Sequence, residues 1–255
     1  MNPLYPLVGL GFGLLLMAGR KSDPAATASD IDVKNTLLPD APGGGGGLPS
    51  QSTYVQAARD GKLELRWVKL PSAPDWEVTS DAVKLNGVRF PVTARTAQQI
   101  ADILGWGARF TTPLVEDLIQ TDAAVKIVSP TWDYKTMFTP EAVSGFNTKI
   151  DAQVGDQEGL VSCVGKSWVL TNEMLTRTLK EGIVACNYGM FRTDGPYLSI
   201  TNKYKLWQQP GYRHNIDHWD YSQVLRLCRP IKTGAVIPSH DGVKISRQPG
   251  VDKVS

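Results

Sequence analysis

VKLNGVRF, residues 83–90, sets Asn86-Gly87 between two short stretches in which apolar and polar side chains alternate. Asn-Gly tolerates the positive φ angles of a type I′ turn, so the octapeptide signals a β-hairpin, and a hairpin makes its strands antiparallel. Upstream, LELRWVKL (63–70) alternates in the same way, so strands open the domain. Downstream the apolar period lengthens to that of a helix. Thr96 and Gln99 have the capping-box spacing ahead of Ile100, Ile103 and Leu104, and Gly105 stands where that helix should end. Thr112-Pro113 opens a second helix through Leu114, Val115, Leu118 and Ile119. Thr139-Pro140-Glu141 opens a third, with Val143, Phe146 and Ile150 on one face. KSWVL (166–170), IVACNYGMF (183–191), PYLSIT (196–201) and YSQVLRLC (221–228) return to strand-like runs. Strands, then helices, then strands predict a single compact α+β domain with a mainly antiparallel sheet and about three helices. A parallel doubly wound sheet would alternate strand and helix throughout.

Outward from this core, the N-terminal side changes character. Residues 3–19, PLYPLVGLGFGLLLMAG, carry no charge and run directly into Arg20-Lys21. At about 1.5 Å per residue they span roughly 25 Å, slightly short of a ~30 Å hydrocarbon core. A cleaved signal peptide places its basic residues before the apolar run rather than after it, so residues 1–21 are read as an uncleaved, single-pass anchor in a lipid bilayer. Basic residues on the C-terminal flank put the following domain on the cytoplasmic side, or in association with a virion. Residues 22–50 contain five successive glycines and several prolines without apolar periodicity. They read as a flexible linker with a reach of about 30 Å. The globular domain then covers residues 51–235, and residues 236–255 form a polar tail.

Of the 255 residues, 42% are hydrophobic and 20% charged, and the formal net charge is +2. Lys and Arg are dispersed, so the basic footprint of a nucleic-acid binder is missing and no nucleic-acid partner is expected. Cys163, Cys186 and Cys228 are odd in number and far apart, which suits buried thiols rather than a disulfide framework or a CxxC site. No P-loop, GxGxxG, HExxH, GxSxG or EF-hand pattern occurs, and no cofactor is expected.

Four elements carry a resemblance: the Pro91–Pro113 segment, the Lys-x-x-Val-Leu-Thr-Asn run of Lys166–Asn172, the Tyr188-Gly189 pair, and the His-x5-Asp-Tyr-Ser run of His214–Ser222. Together they resemble a family of uncharacterised bacterial and phage proteins, some of them secreted. The likeness covers most of residues 80–230, and its last element is the most specific. It implies a domain but no reaction. The family's Gly-His-Lys-Lys-Asp sequence near Val164–Ser167 is missing here, and Cys163 and His218 are peculiar to this chain. An anchor, a Gly-rich spacer and such a domain also resemble the layout of phage-encoded membrane proteins.

The candidate chemistry lies in YRHNIDHWDYS, residues 212–222, which gathers two of the three histidines with Asp217, Asp220, Tyr212 and Tyr221 ahead of an apolar strand. His214 could serve as a general base oriented by Asp220, with Tyr221 or Lys166 donating a proton or countering an oxyanion. The alternative is a polar turn in which His214 and Asp220 only hydrogen-bond. A metal reading would use His214, His218 and Asp220, and a thiolate reading would pair Cys163 with His214. Two functions are therefore expected as alternatives. One is a membrane-tethered hydrolase acting on cell-wall peptidoglycan; the other is a non-catalytic structural or partner-binding protein of a virion or membrane.

Overall fold

The computed structural model describes residues 48–174, 185–214 and 216–242. The expected anchor and nearly all of the linker lie outside the described residues, as does most of the C-terminal tail. Among the described residues, no helix is long and apolar enough to cross a membrane.

The chain runs α1 (Gln51–Arg59), β1 (Trp67–Leu70), β2 (Ala73–Thr79), β3 (Lys84–Leu85), β4 (Val88–Arg89), α2 (Ala94–Leu104), β5 (Arg109–Phe110) and α3 (Pro113–Asp122). It continues with α4 (Pro140–Val154), β6 (Lys166–Val169), β7 (Ala185–Phe191), β8 (Tyr197–Leu198), β9 (Lys205–His214), β10 (Gln223–Val224) and β11 (Leu227–Pro230). This is the expected mixture of helices and antiparallel strands. Local chemistry explains its boundaries. Asn86 and Gly87 both adopt positive φ, 51° and 78°, and turn β3 into β4. Thr112 and Thr139 accept hydrogen bonds from the backbone N–H of Val115 and Ala142, each with proline in the first helical turn.

The structure corrects the sequence reading in three places. The cap of α2 is Thr93, whose hydroxyl accepts from Thr96 N–H at 3.0 Å, so Thr96 and Gln99 lie inside the helix. A helix, α1, precedes the first strand; Ser50 caps it, and Tyr54, Val55, Ala57 and Ala58 form its buried face. There are also two main sheets rather than one. β1-β2-β11-β5 is antiparallel, and β10-β6-β7-β9-β8 is antiparallel except where β10 runs parallel to β6.

The two sheets share one stretch of chain. YSQVLRLC breaks after Val224, so β10 edges the second sheet and β11 sits between β2 and β5 in the first. Arg226 occupies the break with its guanidinium buried, donating to the carbonyl oxygens of Thr79, Val161 and Ser162. The largest hydrophobic cluster joins Trp76, Phe110 and Leu227 of the first sheet to Trp168, Tyr188 and Phe191 of the second, with α1, α2 and α3 contributing. A smaller one gathers under α4 around Phe146, Ile150 and Tyr221.

Candidate functional site

Strand alternation places the polar residues of the second sheet. Lys166 and Trp168 of β6 share a face, and their partners across β7 are Gly189 and Asn187. Asn187 pairs in turn with Gly211 of β9 and Gly189 with Gln208, while Gln223 of β10 lies beside Lys166. A polar row thus crosses four strands of a sheet whose other face carries Val169, Cys186 and Tyr188. The ladder is irregular here, with register shifts on both sides of Asn187. Gly189 has φ 129°, and a Cβ built on it would lie 2.6 Å from the Gly165 carbonyl oxygen, so only glycine fits. Met190 follows at φ 56°, a conformation rarely adopted by a side chain of that bulk.

Against this face lies the loop after β9. Asp220 is 0% exposed and Lys166 7%, and the Lys166 ammonium is in direct contact with the Asp220 carboxylate. The second carboxylate oxygen accepts from Ser222 N–H at 2.9 Å and from the Ser222 hydroxyl at 2.7 Å. His218 Nε2 approaches Asp220 at 3.5 Å, too long for a hydrogen bond, and the nitrogen is otherwise unpartnered. Although burial alone would raise it, the Lys166 charge, the neighbouring His218 and the Ser222 donors hold the Asp220 carboxyl far below the usual carboxylate range.

His214 ends β9. Its ring stacks on His218 with centroids 4.2 Å apart and 17° between planes, and it meets Trp168 edge to face at 6.3 Å. Burial, then the neighbouring His218 and Lys166, push its pKa down to about 3, so the imidazole is neutral at pH 7. Phe138 stands edge-on to both His218 (5.9 Å) and Trp219 (5.8 Å) at the rim.

Of the four residues expected to form the site, the structure joins Lys166 to Asp220 and brings His214 beside them through His218. The carboxylate's hydrogen-bonding partners are Lys166 and Ser222, and the contacts of His214 are ring contacts. Tyr221 is placed differently: its hydroxyl accepts from Trp132 N–H at 2.9 Å and its ring packs edge-on against Phe146. Tyr188 lies on the opposite face and donates to Asp117 at 2.7 Å. Cys163 is buried with its sulfur 2.8 Å from Glu116 Oε2, and burial and that carboxylate raise its pKa well above the ordinary value. It is a packed thiol, not a partner of His214. Among the described residues, no group of three His, Cys, Asp or Glu side chains is arranged to hold a metal ion. Stacked imidazoles point their in-plane lone pairs side by side rather than toward one centre.

Sequence reasoning passed over Asn187 and Gln223, both fully buried. The available signal was a lone amide inside each of the apolar runs IVACNYGMF and YSQVLRLC. Asn187 Nδ2 donates to Gln223 Oε1 at 3.3 Å, which leaves Asn187 Oδ1 and Gln223 Nε2 buried without hydrogen-bond partners among the described residues. Comparison with known proteins finds no family model, no curated protein and no solved structure that matches the chain.

Proposed function

We propose that the domain is the non-catalytic binding part of a membrane-tethered protein, structural in a membrane or virion rather than hydrolytic. The observation that carries this reading is the engagement of both Asp220 oxygens by Lys166 and Ser222. Lys166 neutralises one side of the carboxylate and Ser222 occupies the other through two donors, so the group is committed to holding the β6 and β10 edges together. A His–Asp hydrolase needs the carboxylate on the imidazole and a base whose pKa lies near the working pH. Here the neutral His214 rests on aromatic rings, and its low pKa makes it a poor proton acceptor. The tethering part of the proposal rests on the uncharged run of residues 3–19 and the Gly-rich spacer.

A zymogram of the chain against purified cell walls tests the proposal, with His214→Ala as the control. The expected result is no clearing by either form. Clearing by the wild type that the substitution abolishes would establish the peptidoglycan hydrolase instead and overturn this reading.

A further inference from the structure

The stretch between α3 and α4 turns aromatic side chains outward. In TWDYKTMF, residues 131–138, Tyr134 is 67% exposed and Phe138 40%, while Trp132 and Met137 are half-buried. Trp219, also half-buried, meets Phe138 edge to face at 5.8 Å and extends the patch. Large apolar side chains scattered singly over a surface need no explanation, but a contiguous group marks a contact site.

The fold fixes this display. Tyr221 holds both ends of the loop: its hydroxyl accepts from Trp132 N–H at 2.9 Å, and its own N–H donates to the Met137 carbonyl oxygen at 2.9 Å. Between these ends Asp133 caps a single helical turn, Tyr134–Thr136, by accepting from Lys135 N–H at 3.0 Å. The Trp132 ring lies against Gly145 of α4, where a Cβ would stand 2.2 Å from it, so the helix makes room for the ring.

Composition and position say what covers the patch. Lys149 Nζ lies 4.6 Å from the Trp132 ring centroid and Lys135 Nζ 6.0 Å from that of Tyr134. Rings with one polar atom, flanked by long cationic stems, settle at the boundary between hydrocarbon and water. Asp133 and Glu141 in the same stretch offset the two lysines, so the rings supply the attraction. Leu48, the first described residue, packs on the same small hydrophobic cluster as Trp132, Met137 and Trp219. The chain that carries the expected anchor therefore joins the domain beside the cluster that bears the patch, and a linker with a reach of about 30 Å lets the patch meet the bilayer.

We propose that this face lies on the surface of the membrane that holds the anchor, with Tyr134 and Phe138 entering the headgroup region of a neutral bilayer. The proposal rests on the tethering part of the reading above and names what the domain touches.

The test uses the full-length chain carrying Tyr134→Cys or, for comparison, Trp106→Cys, a position 86% exposed in a turn beside Pro230 of the first sheet. The native thiols are buried, so a polarity-sensitive dye attaches at the new one. The labelled chain is reconstituted into phosphatidylcholine vesicles with and without doxyl-labelled lipid; flotation reports the anchor and the dye reports the face. The expected result is a chain that floats, with the dye at residue 134 shifted to the blue and quenched by doxyl lipid, the dye at residue 106 unchanged, and the quenching at 134 reduced by Phe138→Ser. A floating chain whose dye at 134 stays as in water, or whose two dyes are quenched alike, overturns the inference and leaves the tether standing. A blue shift without quenching would mean that protein, a second copy included, covers the patch, and quenching that requires phosphatidylglycerol would put charge in the place of the rings; either overturns the inference. A chain that does not float removes the tether and the inference together.

Discussion

Replacing Asp220 with asparagine exchanges one oxygen for a nitrogen and removes one charge, while the remaining amide oxygen can still accept from Ser222. The loss therefore isolates what the carboxylate does for Lys166. Both groups are nearly or fully buried and in direct contact, and removing one partner of such a pair costs about 3–5 kcal/mol because the other charge stays desolvated and alone. A lysine left alone can instead shed its proton, which from a reference pKa near 10.4 costs about 5 kcal/mol at pH 7, so the loss is bounded there. Against a typical total of about 5–15 kcal/mol, that is a large fraction of the stability. Urea unfolding followed by tryptophan fluorescence measures it. Lys166→Met in the Asp220→Asn background removes the stranded charge and should restore about 2 kcal/mol, a coupling that only a direct pair produces. A loss below about 1 kcal/mol for Asp220→Asn, or a double variant no more stable than the single one, would refute the reasoning.

Acid should destabilise the domain through His214. Its pKa falls from 6.5 to about 3 on folding, so the unfolded chain binds the proton first. The corresponding stability is complete above pH 6.5 and declines toward pH 3 by at most about 1.4 kcal/mol per pH unit. His214→Gln should flatten that decline in urea midpoints taken from pH 7 to 4; an unchanged slope contradicts a buried neutral imidazole. Gly189→Ala forces a side chain into a φ of 129° and onto the Gly165 carbonyl, and should lower the melting temperature by at least about 4 °C, which corresponds to about 1–2 kcal/mol in a domain of this size. A smaller shift would mean that the bulge relaxes freely. Cys163, Cys186 and Cys228 are all buried, and burial raises each thiol's pKa. None should react with iodoacetamide at pH 8 until denaturant is added, and rapid labelling of any one would contradict its placement.

The parts of the fold legible in the sequence were those set by local chemistry. Asn86-Gly87 dictates its turn, and Thr-Pro dictates two helix starts, whatever the rest of the chain does. The longest strand, β9, was hidden because Pro210 and Gly211 interrupt it. They are tolerated where the β7–β9 register slips, so a missing donor and a missing side chain break no regular ladder. Lys166, His214 and Asp220 lie near one another in the structure, whereas Tyr221 turns to Trp132 and Phe146, and Asp220 pairs with Lys166 rather than with His214. His214 and Asp220 are close in sequence, yet the strand ends at His214, and Asp220 turns inward to Lys166, 54 positions away. Proximity along a loop says little about which side chain receives a buried carboxylate; the sheet register decides that, and it depends on strands distant in sequence.

The break at Leu225-Arg226 also governs when the domain can fold. Residues 223–230 supply an edge strand to one sheet and an interior strand to the other, and Arg226 between them is held by carbonyl oxygens of residues 79, 161 and 162. Until that segment leaves the ribosome, β5 lacks its neighbour in the first sheet and the Lys166 edge of the second is open, so neither sheet can close during synthesis. Such long-range pairing makes folding slow and leaves strand edges exposed in the meantime. A nascent chain stalled with residue 220 outside the exit tunnel should remain protease-sensitive throughout, and one stalled with residue 235 outside should become resistant in a single step.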